Sequence, residues 1–99
     1  MTEKPTQLKD AIRKWEEENS ENASNAKEIG LQFQIPPIDR MDVQVLETLQ
    51  ECEKLSLSTN NIDKILLPPM RNLKILCLGR NNIKSLSGLV GDYSHKFSF

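Results

Sequence analysis

The chain has 99 residues, 37% of them hydrophobic and 27% charged, and its 14 acidic and 13 basic side chains leave a formal charge of −1. That length holds one small domain, and the balanced charge excludes functions that rest on non-specific attraction to nucleic-acid phosphates or anionic lipid. Leu, Ile, Val and Phe together number 27, so a hydrophobic core is available but thin.

Residues 1–6 contain no apolar run of the kind a secretory signal needs. The longest aliphatic run, Ile65-Leu66-Leu67, stops at Pro68-Pro69, far short of a membrane-spanning helix. The two cysteines, Cys52 and Cys77, are therefore expected as reduced thiols in an intracellular setting.

The first element predicted is a helix over residues 6–19. Leu8, Ala11, Ile12 and Trp15 fall at i, i+3, i+4 and i+7 and line one face, while Lys9, Asp10, Arg13, Lys14, Glu16 and Glu17 turn outward. Thr6 can cap its N-terminus, and Asn19-Ser20-Glu21-Asn22 breaks the pattern with turn-forming residues. Ser24 can cap a second short helical turn through Ala26, Lys27 and Glu28. Together these segments predict a helical cap over residues 1–28, with Trp15 anchoring it on the remainder of the domain. Glu16-Glu17-Glu18 reads as a solvated helix end.

Beyond residue 28 the pattern changes. Cys52-x-x-Leu55-x-Leu57-x-x-Asn60-x-Ile62-x-x-Ile65 superimposes on Leu73-x-x-Leu76-x-Leu78-x-x-Asn81-x-Ile83-x-x-Leu86 at a fixed offset of 21. Upstream, Ile29-x-Leu31 followed by Ile38-x-x-Met41 is a degenerate copy with two extra residues around Pro36-Pro37 and Gln34 at the asparagine position. Repeats of this length and signature mark a leucine-rich repeat solenoid, here predicted over residues 29–89. In such a fold Leu55 and Leu57 alternate about Ser56 on a short strand, both pointing inward. The chain then turns sharply, and a buried asparagine offers donors and an acceptor to the backbone groups the turn leaves unpaired. Ile62, Ile65, Ile83 and Leu86 return along the far side and close the core.

Residues 90–99 lose the pattern and read as an atypical tail. The same offset nevertheless carries Leu76 and Leu78 onto Phe97 and Phe99, so Lys96-Phe97-Ser98-Phe99 offers a last strand, against which Ser94 stands where the repeat has leucine. Without a cap, that end of the stack is expected to expose Leu78, Ile83, Leu86 and Leu89.

Chemistry-bearing residues are sparse. Cys52 occupies the phase of Leu73 and reads as a small buried hydrophobe. Cys77 falls between Leu76 and Leu78 on the exposed side of a strand, with no activating neighbour in sequence. The single histidine, His95, lies in the tail, so no metal site is expected, and nothing in the sequence resembles a phosphate-binding loop or a nucleophile elbow. No enzyme activity and no cofactor are predicted. The exposed positions Lys54, Ser56 and Ser58 of one turn and Lys74, Cys77 and Arg80 of the next are small or basic, which suits a helical or acidic protein partner.

The segments Ala26-Lys27-Glu28-Ile29, Gln34-Ile35-Pro36-Pro37-Ile38, Cys52 to Asn60 and Leu78-Gly79-Arg80-Asn81-Asn82-Ile83-Lys84 resemble the leucine-rich-repeat light-chain family of axonemal outer-arm dynein. The leading helix ending in Lys14-Trp15-Glu16-Glu17 does so too, and the resemblance spans roughly residues 5–92. It implies a non-catalytic subunit of the outer arm in cilia and flagella, located in the cytoplasm, cytoskeleton and axoneme. Such a subunit binds a dynein heavy chain, links the motor to microtubules and tunes its activity, with neither nucleic acid nor membrane as partner. The family's chain continues through further repeats to a C-terminal helical cap that has no counterpart here, and the residues after Asp92 do not resemble it, as in a truncated form. The expected fold is thus α/β: a leucine-rich repeat solenoid fragment with an N-terminal helical cap. Two other readings fit the repeats themselves, a general regulatory subunit of the phosphatase-regulator type and a truncated product without function.

Overall fold

The computed structural model describes residues 4–88 and 97–98, with side chains as far as residue 84. The first helix, α1, runs Leu8–Asn19 and buries Leu8, Ala11, Ile12 and Trp15, the four residues that the helical period places on one face. Its start differs from the sequence expectation. Thr6 does not cap it; Gln7 holds the cap position, and the Gln7 carbonyl accepts from the Asp10 and Ala11 amides at 3.0 and 3.1 Å. Thr6 ties the approach to the proline turn instead, donating from its amide to Pro37 O at 3.3 Å and from its hydroxyl to Pro36 O. At the far end Ser20 takes a left-handed conformation (φ 49°, ψ 44°) and returns its amide to Glu16 O, which stops the helix.

A single 3-10 turn, Ala23–Asn25, comes next. Its cap is Asn22 rather than Ser24: Asn22 Oδ1 accepts from the Ser24 amide at 3.0 Å and the Ser24 hydroxyl at 2.8 Å. An asparagine bonding two residues ahead favours one tight turn over a continuing helix, and Glu28 leaves it to open β1, Glu28–Gly30. Glu16 is not merely solvated either. Its Oε2 accepts from the Ala23 amide at 2.8 Å, so the carboxylate fastens the corner between helix and turn.

Five more strands succeed β1: β2 (Lys54–Ser56), β3 (Lys64–Leu66), β4 (Ile75–Cys77), β5 (Ser85–Gly88) and β6 (Phe97–Ser98). They form two parallel sheets, one in the order β1-β2-β4-β6 and one of β3 and β5. The three-residue strands β1 to β4 each bury the central residue and leave its neighbours at least partly open to solvent. Ile29 pairs with Leu55 and Leu55 with Leu76, each at 2% exposure or less. The pairing of Leu76 with Phe97 in β6 continues the 21-residue interval between Leu55 and Leu76. β1 sits 26 residues before β2 instead. The excess divides between the proline turn and the longer return stretch holding α2 (Val43–Leu46), whose first amides are capped by Asp42 Oδ1.

One core runs through the molecule. α1 brings its four apolar residues to Ala23, Ala26, Ile29 and Leu31, and these join Leu55, Leu57, Ile62, Ile65, Leu73, Leu76 and Leu78 in the same cluster. The far-side residues Ile62 and Ile65 are buried and Ile83 packs half-buried against them. Leu78 is 1% exposed, contrary to the expected open end, because the stack continues past it: β4 has β6 alongside. The expectations for the side chain of Leu86, for Leu89 and for residues 89–96 lie outside the described residues. The return stretches also form strands, β3 and β5, where the sequence suggested only apolar filling.

Asn60 and Asn81 take the turn positions expected of them, and each reaches back one turn as well as holding its own. Asn60 Nδ2 donates to Leu57 O at 3.1 Å and Ser58 O at 3.3 Å in its own turn and to Leu31 O at 3.1 Å in the preceding one. Its Oδ1 accepts from the Gln34 and Ile38 amides at 3.3 and 3.0 Å. Asn81 repeats the arrangement with Leu78 O, Gly79 O, Leu57 O and the Ile62 amide. The residue before each is left-handed, as is the one before Gln34: Phe33, Thr59 and Arg80 have φ of 53°, 56° and 57°. Three successive turns thus share one backbone course.

Candidate functional site

The outward side of the four-stranded sheet is the face on which the sequence placed its candidate residues. Parallel register fixes which of them are neighbours. Lys54 stands between Glu28 and Ile75, and Ser56 between Gly30 and Cys77. Lys54, Ser56, Ser58 and Cys77 come together around one shallow cleft of about 370 Å³, completed by Glu28, Gly30 and Gln32. The Ser56 and Ser58 hydroxyls lie 3.5 Å apart. Gly30 keeps the floor low: a Cβ there would come within 2.7 Å of Gln32 Oε1.

Lys74 and Arg80 are placed elsewhere. The Lys27 carbonyl accepts from the Glu53 and Lys54 amides at 2.7 and 2.9 Å, and the Glu53 carbonyl accepts from those of Lys74 and Ile75 at 2.7 and 3.0 Å. Lys74 is therefore the counterpart of Glu53, at the strand entry, and its ammonium pairs with the Glu53 carboxylate at 3.5 Å. Both side chains are exposed, so the pair is weak. Arg80 is the counterpart of Thr59, at the left-handed turn beyond the strand end. The true neighbour of Lys54 is Ile75, a large apolar residue 44% exposed. Sequence reasoning missed it because exposed positions were sought among polar residues. Glu28, Gly30 and Gln32 flank the Ile29-x-Leu31 of the degenerate copy, and only the observed register brings them beside Lys54, Ser56 and Ser58.

The two thiols differ sharply. Cys52 is 1% exposed, and burial raises its thiol to about 11; its Sγ lies 3.4 Å from Lys54 O. Cys77 is half-buried on the sheet face. Among the described residues no group of three or more His, Cys, Asp or Glu is placed to hold a metal ion, and no helix is long and apolar enough to cross a membrane. A second cleft of about 590 Å³ mixes Asp39 and Asp63 with Arg40, Lys64 and Lys84, so no single sign of charge dominates it.

Fold and face together define an α/β protein whose chain returns repeatedly to one parallel sheet and presents there a shallow surface of mixed polar and apolar side chains. No protein-family model matches the chain. Known relatives do. It is 60% identical over 92 aligned residues to Dynein axonemal light chain 1 of Ciona intestinalis, covering 90% of this chain and 48% of that protein. The human protein of the same name is 56% identical over 92 residues, again covering 90% and 48%. That of Chlamydomonas reinhardtii is 52% identical over 87, covering 87% and 43%. Over about nine-tenths of its length the chain is a homologue of axonemal dynein light chain 1, and it spans about half the length of these curated relatives.

Proposed function

We propose that the chain acts as a non-catalytic light chain of axonemal outer-arm dynein, in the cytoskeleton of cilia and flagella. In this reading it binds a dynein heavy chain and helps link motor activity to microtubules. The observation that carries it is identity of 52–60% to axonemal light chains from organisms as far apart as Ciona and Chlamydomonas. The architecture assigned with it is a leucine-rich repeat solenoid: a helical cap over residues 1–28, repeats over 29–89 with a degenerate first copy, and a tail over 90–99. The shared 21-residue register of β2, β4 and β6 and the two bridging asparagines support that assignment.

The surface assigned to the partner is the sheet face with its turn: Lys54, Ser56, Ser58 and Cys77 at the cleft, Lys74 and Arg80 at its margins. Small side chains let a helix approach closely, and cations at the rim favour an acidic partner. The test is fractionation of axonemes carrying the tagged chain, followed by salt extraction. Release together with outer-arm heavy chain is expected, and Lys54→Glu combined with Arg80→Glu is expected to weaken that association at least about tenfold. Release apart from the heavy chain but with a phosphatase catalytic subunit would favour a general regulatory subunit, and absence from both would favour a product without function.

A further inference from the structure

A turn surface that adjoins the sheet face and shares Arg80 with it carries an inference that the sheet-face reading does not need. Phe33 is 65% exposed and Ile35 is 78% exposed, on a loop that the structure holds firmly. Asn60 accepts from the Gln34 and Ile38 amides and donates to Leu31 O, while the Thr6 amide donates to Pro37 O. Phe33 also sits at φ 53°, a backbone region that a bulky side chain seldom occupies. The fold does not require an apolar residue at position 33. The same position in the next two turns is occupied by Thr59 and Arg80, with the same backbone conformation. Two large apolar groups held in water two residues apart on one anchored loop are the signature of anchors for a partner.

Charge and spacing identify the occupant. Phe33 donates its amide to Ser58 O and Thr59 to Gly79 O, so Phe33, Thr59 and Arg80 stand in a column across three turns. Neighbouring turns lie about 4.8 Å apart, which sets Arg80 about 10 Å from Phe33. Arg80 is the one charge of the column, and the columns on either side, Gln32, Ser58, Gly79 and Gln34, Asn60, Asn81, are neutral. Two turns of an α-helix cover about 11 Å. We propose that this column, with Ile35, docks an amphipathic α-helix of a partner protein, which sets apolar side chains on Phe33 and Ile35 and a carboxylate two turns away on Arg80.

The experiment is selection from a displayed library of single helices, randomised along one face, on the full chain. Enriched helices are expected to carry two apolar residues one turn apart and an acidic residue about seven positions from the one that meets Phe33. Phe33→Asn with Ile35→Ser is expected to weaken them by about tenfold or more, roughly the loss of one anchor. Asparagine tolerates the left-handed turn, so this variant keeps the fold, and circular dichroism checks that it does. Selection on Arg80→Glu is expected to exchange the acidic residue for lysine or arginine. A photoreactive copy of an enriched helix is expected to crosslink within residues 33–35. Failure to enrich any helix, equal binding to the Phe33/Ile35 variant, or an unchanged acidic preference on Arg80→Glu each overturns the proposal. So does a comparable loss from Lys54→Glu, which would move the helix onto the sheet face.

Discussion

Asn60 shows how much one side chain can hold. Its amide makes five hydrogen bonds, two of them within its own turn and three to the preceding one. Asn60→Ala leaves backbone groups of both turns without partners, and is expected to cost about 3 kcal/mol, read as a fall in the urea midpoint. Asn60→Asp should cost more, because a carboxylate oxygen then faces the Leu31, Leu57 and Ser58 carbonyls. Asn81→Ala should cost less, since among the described residues Asn81 makes four such bonds. A loss for Asn60→Ala no larger than that of a surface substitution, about 0.5 kcal/mol, would rule out the bridging role. The cysteines give a second residue-scale expectation. At pH 8 a water-soluble disulfide reagent should label Cys77 promptly and Cys52 only as fast as the chain unfolds. Because the folded thiol of Cys52 is raised from the ordinary 9.0 to about 11, the unfolded chain binds fewer protons between those values. Its contribution is intact below pH 9 and is lost as pH rises through 11, by up to about 3 kcal/mol. Stability of the natural chain should therefore decline more steeply than that of Cys52→Ala across this window, and parallel curves would refute the assignment.

At the scale of elements, α1 is the piece whose docking can be watched directly, because Trp15 is the only tryptophan in the chain and is 8% exposed. Trp15→Ala removes the largest apolar group of the helix from the core, an expected cost of about 3–5 kcal/mol. How far elements can be read from sequence depends on what terminates them. The apolar face of α1 was legible because periodicity records burial directly. Its cap was not, since the Gln7 backbone carbonyl does the work and Thr6 answers to Pro36 and Pro37, thirty residues away in sequence. β2 and β4 were legible through their shared interval, and β1 less so, because extra residues at the prolines and around α2 displace it. The sequence places Lys74 and Arg80 among the exposed strand positions, because a charged residue beside a buried leucine reads as facing outward from the strand. Register, a tertiary fact, gives that place to Ile75 instead. β3 and β5 were overlooked for the same reason: Lys64-Ile65-Leu66 alternates too briefly to announce a strand without its partner.

For the whole molecule the question is whether the turns stand or fall together. Each turn buries its leucines against the next, so stability is shared between neighbours and not owned by any one turn. Leu55 has Ile29 on one side and Leu76 on the other, whereas α1 meets the stack at its β1 end. The asparagine bridges join the turns through the backbone, and the core is one cluster from Leu8 to Leu78. These features argue for a single cooperative transition in which Trp15 reports events at the distant turn. Leu76→Ala lies far from Trp15 along the stack and should cost about 2–5 kcal/mol. It is expected to lower the unfolding midpoint seen by Trp15 fluorescence and by far-UV circular dichroism equally. Were the β4 turn an independent unit, the same substitution would split the two probes. Circular dichroism would then shift early while the fluorescence midpoint stayed at that of the natural chain. Leu55→Ala, placed between them, should move both probes together under either arrangement, so Leu76→Ala is the variant that decides.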